Sequence, residues 1–284
     1  MTATTLPDMS GRTCVVTGAN TGIGRVTAVE LARAGARVIL ACRSEEKARP
    51  VIDAIRTETG KVDAEFLALD LASLASVRRA AADLLERGYP LHVLVNNAGL
   101  AGHRGTTADG FELTFGVNHL GHFLFTTLLL DHLKASAPSR IVNVSSRAGE
   151  RSKAIDWSAV DKPTQTRTGL REYGYSKLAN MIFSAELARR LEGTGVTSYA
   201  LHPGVIASDI WRSVPRPFRD LMMAFMVTTE EGARTQLRCA TAPELATVSG
   251  RYYSDSKEKA PNKLALDPKL GRELWERSEA LVNR

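Results

Sequence analysis

Tyr173 and Lys177 stand four residues apart in the stretch YGYSK, a spacing that puts two side chains on one helical face. A phenol titrates at about pH 10 and is a poor proton shuttle at neutrality, but an ammonium beside it favours the phenolate. The pair suits general acid–base chemistry on an oxygen whose charge changes. Tyr175, only two residues from Lys177, falls on another part of the helix and reads as packing. Upstream, residues 140–144 (RIVNV) run into Ser145 and Ser146, where a strand-end hydroxyl can bind a substrate oxygen and share its developing charge. Asn118, in a helical stretch before that strand, can hold a water linking Lys177 to solvent. Each of these alone would read as structural. Their company with a cofactor loop argues for chemistry.

That loop is TGANTGIG at 17–24, giving Gly18-x-x-x-Gly22-x-Gly24 between a short apolar run and a helical stripe. Glycines there allow a tight turn, close approach of backbone to a phosphate and close helix–strand packing. The helix that follows offers free N–H groups to a pyrophosphate. At the end of the second strand a carboxylate would select NAD; this chain has Arg43 and Ser44. A guanidinium and a hydroxyl suit a 2′-phosphate instead, so NADP(H) is expected, with a plain surface arginine as the other reading of Arg43. Asp70, after the third strand, can accept from the adenine amine or cap the next helix. Residues 96–99 (NNAG) close the fourth strand with small and amide side chains where a ligand can pass, although a simple turn would look similar.

The elements that must position these residues alternate. Strands are expected at 13–17, 37–41, 64–69, 91–95, 140–144 and 196–201, with a last short one near 250–253. Helices follow the first stripe at 45–58, 73–86, 111–133 and 172–191, the one at 45–58 weakened by Pro50. Such alternation predicts an α/β fold with a parallel sheet covered on both faces. Residues 1–10 read as a tail and 11–284 as one domain. Two segments interrupt the rhythm: a polar insertion at 147–170 and a stretch at 205–227 rich in prolines, arginines and large apolar residues, which reads as a lid. Ile206, Ile210, Trp211, Pro217, Phe218, Leu221, Met222, Met223, Phe225 and Met226 could cover a bulky apolar molecule; packing on the body or a second subunit is the plainer alternative.

A net charge of +6, spread among acids, argues against a nucleic-acid partner. No apolar run approaches the roughly 18 residues of a membrane span. Cys14, Cys42 and Cys239 form no disulfide framework, which suits a reducing, cytoplasmic setting. His119, His122 and His202 lack a convincing ligand set, so no metal is expected.

Taken in order, TGANTGIG, ACRS at 41–44, DL at 70–71, NNAG, NHLGHF at 118–123, NVSS at 143–146, YGYSK and HPG at 202–204 resemble the short-chain dehydrogenase/reductase family, over essentially all of residues 11–255. Within it the resemblance is to the retinol-dehydrogenase-like branch. The resemblance implies a single doubly wound Rossmann-type domain with about seven parallel strands and a helical substrate lid. It implies Asn118, Ser146 (rather than Ser145), Tyr173 and Lys177 as catalytic residues. For the cofactor it implies Gly18, Asn20, Thr21, Gly22, Ile23, Gly24, Arg43, Ser44, Asp70, Leu71, Asn97, Ala98, Gly99, Tyr173 and Lys177, with Pro203 and Gly204 lining the nicotinamide. Ser208 stands where many relatives carry a threonine against the carboxamide. Dimers or tetramers built through the helices of Asn118 and Tyr173 are also implied. Ser146 and Tyr173 are 27 residues apart, wider than is common in the family because of the 147–170 insertion, a feature shared with that branch. Membrane-bound members carry an N-terminal anchor, whereas here the first strand starts almost at once. The activity expected is NADP(H)-dependent hydride transfer on a bulky apolar ketone, aldehyde or alcohol. NAD-dependent alcohol oxidation in the same fold, or a non-catalytic cofactor-binding scaffold, are the rival readings.

Overall fold

The structure is a computed structural model that describes residues 6–60, 63–204 and 228–284. The lid at 205–227, with Ser208, lies outside the described residues. Along the chain run β1 (Thr13–Thr17), α1 (Gly22–Arg33), β2 (Arg37–Cys42), α2 (Glu45–Thr59), β3 (Ala64–Ala68), α3 (Leu74–Glu86) and β4 (Val93–Asn96). After them come α4 (Leu113–Phe115), α5 (Gly121–Leu128), α6 (Leu130–Ala135), β5 (Ser139–Val144), α7 (Arg147–Arg151), α8 (Leu170–Arg190) and β6 (Val196–His202). The chain ends with α9 (Thr229–Thr241), β7 (Arg251–Ser254), β8 (Lys257–Lys259) and α10 (Pro268–Val282).

The strands form one sheet in the order β3-β2-β1-β4-β5-β6-β7-β8. Seven pair in parallel, as expected. The eighth was not anticipated: Asp255 and Ser256, both at positive φ, make the tight hairpin that brings Lys257–Lys259 back antiparallel to β7. Its three side chains are exposed and charged, which blunts the sheet edge.

β1 shows why such strands need two covered faces. All five of its residues are buried. Val15 belongs to the core under α3, α5, α8 and α10, while Cys14 and Val16 belong to the core under α1, α2 and α9, the two-residue alternation of a strand. The strand order reverses between β1 and β4, and ligands of open α/β sheets bind beyond the strand ends at such a point. The glycine loop and the NNAG turn meet there.

Three elements depart from the sequence reading. The helix expected at 111–133 is broken into α4, a π-turn at Gly116–Leu120, α5 and α6. Gly116 and Gly121 bracket that turn because a Cβ on either would collide, with Thr107 at 2.3 Å or the Leu71 carbonyl at 2.7 Å. The insertion is built rather than irregular. It contains α7, and Trp157 lies edge-on to Phe115 at 5.9 Å. Within it the Val160 carbonyl accepts from Glu112 N at 2.7 Å, and Thr164 closes on the buried Glu112 carboxylate. Burial raises that carboxyl above its usual range. Finally, α10 lies across α8 and inserts Trp275 between Phe123 (5.1 Å) and Phe183 (5.9 Å), with Arg190 over its indole at 4.1 Å.

Candidate active site

The glycine loop leaves no room for side chains. Gly18 sits at φ 67° and Gly22 at φ 57°. A Cβ on Gly24 would stand 2.6 Å from the Gly18 carbonyl oxygen and 2.4 Å from Asn97 Nδ2. Thr21 takes the N-cap position of α1, in extended backbone, and the first turn of that helix carries no acid, so its N–H end is electrostatically suited to an anion. Opposite, Asn97 donates from its backbone to Thr17 Oγ1 (2.9 Å) and from Nδ2 to the Thr17 carbonyl (2.8 Å). Its Oδ1 is buried with no partner among the described residues. A cradle that a Cβ would fill and an unmet acceptor beside it fit a dinucleotide.

Ser44 caps α2, its Oγ accepting from Lys47 N at 3.3 Å. Glu45 pairs with Arg49 one turn on. Arg43 itself is exposed and has no ion-pair partner among the described residues. Asp70 does not cap α3; Ser73 does, accepting from Ser76 N. Asp70 instead accepts from Ala72 N at 3.0 Å, while Leu71 is buried under Gly121.

At the end of β5 the two serines part. Ser145 is buried and donates to the Lys177 carbonyl at 2.5 Å, which makes it a strut between β5 and α8. Ser146 caps α7, accepting from Ala148 N, and its side chain acts on the Tyr173 phenol to favour the phenolate. Lys177 is buried. Its Nζ donates to the Val144 carbonyl at 2.9 Å and lies 5.8 Å from the Tyr173 ring centre. α7 packs closely enough on α8 that a Cβ on Gly149 would come within 2.6 Å of the Lys177 carbonyl carbon. Tyr175 packs against the apolar core, apart from this group.

One electrostatic expectation is reversed. Burial moves the Tyr173 phenol up, against the bond from Ser146, which pulls it down. The same desolvation pushes Lys177 down to about 7, so the ammonium that should favour phenolate is itself weakened. In the free protein the phenol is held protonated, the state a proton donor needs.

Asn118 occupies the π-turn. Its Oδ1 accepts from Leu100 N at 2.8 Å, and Nδ2 donates to the Leu100 carbonyl and to Ser176 Oγ, both at 3.0 Å. Both amide protons are therefore engaged, and the capacity left for a water is the second lone pair of Oδ1. A Cβ on Gly99 would stand 3.3 Å from that oxygen and 3.4 Å from Lys177 Nζ, so the glycine keeps the space between them free of side chain. Pro203 and Gly204 follow β6, Gly204 at φ 96°.

The family model described as short chain dehydrogenase matches residues 12–217. The chain belongs to that family. Dehydrogenase/reductase SDR family member 13 from Bos taurus is 46% identical over 98% of this chain and 74% of the relative. Retinol dehydrogenase 13 from Homo sapiens is 45% identical over 96% and 85%, which places the chain in the retinol-dehydrogenase-like branch. Among solved structures, an uncharacterized protein from Mycobacterium paratuberculosis superposes with a TM-score of 0.79 at 33% identity, covering 100% of this chain and 97% of that one. A Pseudomonas aeruginosa RhlG/NADP active-site complex gives 0.68 at 28% identity, covering 87% and 95%.

Sequence reasoning about this short-chain dehydrogenase missed the two histidines around Asn118 as parts of the site's frame. His119 bridges Asn180 Oδ1 (3.3 Å) and Ser278 Oγ (2.9 Å), and Asn180 shares the Val144 carbonyl with Lys177. Their only signal was polarity inside an otherwise apolar helix. Among the described residues there is no group of three or more His, Cys, Asp or Glu side chains able to hold a metal ion.

Proposed function

We propose that this chain is an NADP(H)-dependent oxidoreductase that interconverts a bulky apolar ketone or aldehyde with its alcohol, Tyr173 serving as general acid and base. The observation that carries the proposal is the Ser146–Tyr173–Lys177 group standing at the strand ends beside the glycine cradle. The glycine cradle and the NNAG turn would hold NADPH, which would supply hydride to the carbonyl carbon. Ser146 Oγ and the Tyr173 hydroxyl bind the carbonyl oxygen, and Tyr173 donates its proton as negative charge develops there. Lys177 and a water accepted by Asn118 Oδ1 return a proton to the phenol. Oxidation runs these steps backward, with the phenolate as base.

The choice of NADP(H) over NAD(H) rests on Arg43, exposed and without an ion-pair partner among the described residues, and agrees with the NADP complex of the structural relative. A charge-assisted bond to phosphate is worth about 1.5–3 kcal/mol. Arg43→Ala is accordingly expected to weaken NADPH binding roughly 10- to 100-fold and leave NADH nearly unchanged. Equal loss for both cofactors, read by nicotinamide fluorescence, would remove Arg43 as the selector.

The apolar composition of residues 205–227 supports a bulky substrate, as does the naming of relatives after retinol, an apolar alcohol. NADPH oxidation against polyene aldehydes, polycyclic ketones and small sugars tests this; turnover confined to sugars would refute it. Pairing of copies through α8 is disfavoured, because α10 already covers that face with Trp275; a dimer or tetramer is proposed to use another surface. Among the described residues no helix is long and apolar enough to cross a membrane. The buried free thiols support the cytoplasmic setting.

A further inference from the structure

His122 is the second residue of α5 and is 2% exposed. It lies too deep to meet substrate, yet it joins two halves of the site. Its Nε2 lies 2.9 Å from Thr17 Oγ1, and its Nδ1 lies 3.1 Å from the main-chain oxygen of Asn118. Thr17 Oγ1 also accepts the backbone N–H groups of Asn97 and Ala98, each at 2.9 Å.

The proton positions follow from what each group can do. A carbonyl oxygen only accepts, so Nδ1 carries the ring proton. Nε2 is then an acceptor, and the Thr17 hydroxyl is the donor within reach. That hydroxyl's other acceptor, the Val95 carbonyl, is farther at 3.4 Å. One neutral tautomer thus satisfies both ring nitrogens, the Thr17 hydroxyl and the Asn118 carbonyl together. Burial keeps the ring in that state by pushing its pKa down to about 3, with the Lys177 charge acting in the same direction.

The two ends of this chain matter for different reasons. Thr17 fixes the Asn97–Ala98 turn, against which Gly18 packs so closely that a Cβ there would sit 3.0 Å from Ala98 Cα. Asn118 stands in a π-turn, a local distortion that other contacts must hold in place. We propose that His122 is a positioning residue whose ring, bonded at one nitrogen to Thr17 and at the other to Asn118, keeps the cofactor-binding turn and the proton-relay asparagine in fixed register. The proposal rests on the reading of NNAG as cofactor floor and of Asn118 as relay.

The test separates the two bonds. His122→Asn places an amide donor near the position of Nδ1 and cannot reach Thr17. His122→Gln places an acceptor near the position of Nε2 and gives up the nearer donor. His122→Phe fills the space and makes neither bond; Thr17→Val removes the far end. With folding verified by circular dichroism, NADPH Kd, KM and kcat are measured across pH.

His122→Phe is expected to weaken NADPH binding and lower kcat, each by about tenfold. His122→Asn should lose mainly NADPH affinity and His122→Gln mainly kcat, a split that a purely packing role would not produce. Adding His122→Phe to Thr17→Val should cost little further affinity, since the Thr17–His122 bond is already lost in Thr17→Val. The pH limbs of kcat should stay where they are in the unsubstituted protein. If that protein neither binds nor turns over NADPH, the functional reading falls and this inference with it. If it does both, and folded Asn and Gln variants match it within twofold, the positioning role is overturned. Disappearance of a pH limb in any His122 variant would also overturn it, by making the histidine a titrating participant.

Discussion

Tyr173→Phe protein is expected to bind NADPH with unchanged affinity and to lose about 10²–10⁴-fold in kcat, the usual worth of a positioned acid or base. The reason lies in what the ring does apart from its hydroxyl. Tyr173 is half-buried on α8, its ring centre 5.8 Å from Lys177 Nζ and its phenol influenced by the Ser146 side chain. Phenylalanine keeps the ring and its packing, so the cradle and Lys177 stay as they are. What goes is the hydroxyl proposed as proton donor at the carbonyl oxygen. Ser146 would still bind that oxygen, which accounts for a residual rate. Fluorescence titration with NADPH and single-turnover kinetics on the same sample separate the two effects. Equal loss of binding and turnover would mean that the substitution disturbed the site, and full turnover would remove Tyr173 from the chemistry.

Lys177→Met carries the second large effect and should act in opposite directions on function and stability. Loss of the ammonium should lower kcat by about 10²-fold or more, since the phenol loses its relay. Stability should rise. Burial holds the folded-state pKa of Lys177 to about 7, against an ordinary 10.5. Between those values the unfolded chain binds the proton that the folded protein releases, so this residue makes stability increase with pH across that window. Below pH 7 both states are protonated and the full penalty of the buried charge remains. Methionine removes the penalty and sacrifices the bond to the Val144 carbonyl, leaving a gain on the order of 3 kcal/mol. The Tm of the cofactor-free variant should exceed that of the unsubstituted protein by roughly 5–10 °C at pH 7. The difference should shrink toward zero near pH 10. A Tm lowered at pH 7, or a difference independent of pH, would show that Lys177 is not held against its charge.

The parts of the molecule that were readable in advance are those where local chemistry dictates structure. Short apolar runs with β-branched residues marked the strands of the parallel sheet, and the glycines of TGANTGIG marked the turn after β1, because no other residue fits there. Ser146, Tyr173 and Lys177 could be singled out because their chemistry is unusual for their positions. The structure adds a reason to separate Ser146 from Ser145, whose hydroxyl is turned to the Lys177 carbonyl.

What was not legible depends on tertiary contact. The π-turn at Gly116–Leu120 arises from close approach of Thr107 and Leu71, neither of which is adjacent in sequence. α10 had a local signal that was passed over: Asp267 caps it, Pro268 starts it, and Leu274, Trp275, Ser278 and Leu281 form its buried stripe. Its consequence, the covering of α8, could not be read from that stripe. The rise of the Tyr173 pKa was also hidden, since spacing brings Lys177 near but says nothing of the burial that acts on both groups. Pro50 suggested a weak helix, yet α2 runs through it, held by the Ser44 cap and closed by Gly60 at φ 65°.

The most direct measurement is a paired titration of the purified protein with NADPH and NADH by nicotinamide fluorescence, followed in the same cuvette by addition of a bulky apolar aldehyde and recording of NADPH oxidation. Binding at least tenfold tighter for NADPH, with oxidation that follows the aldehyde added, is the expected result. Tighter binding of NADH, or tight NADPH binding with no oxidation across bulky aldehydes and ketones, would contradict it.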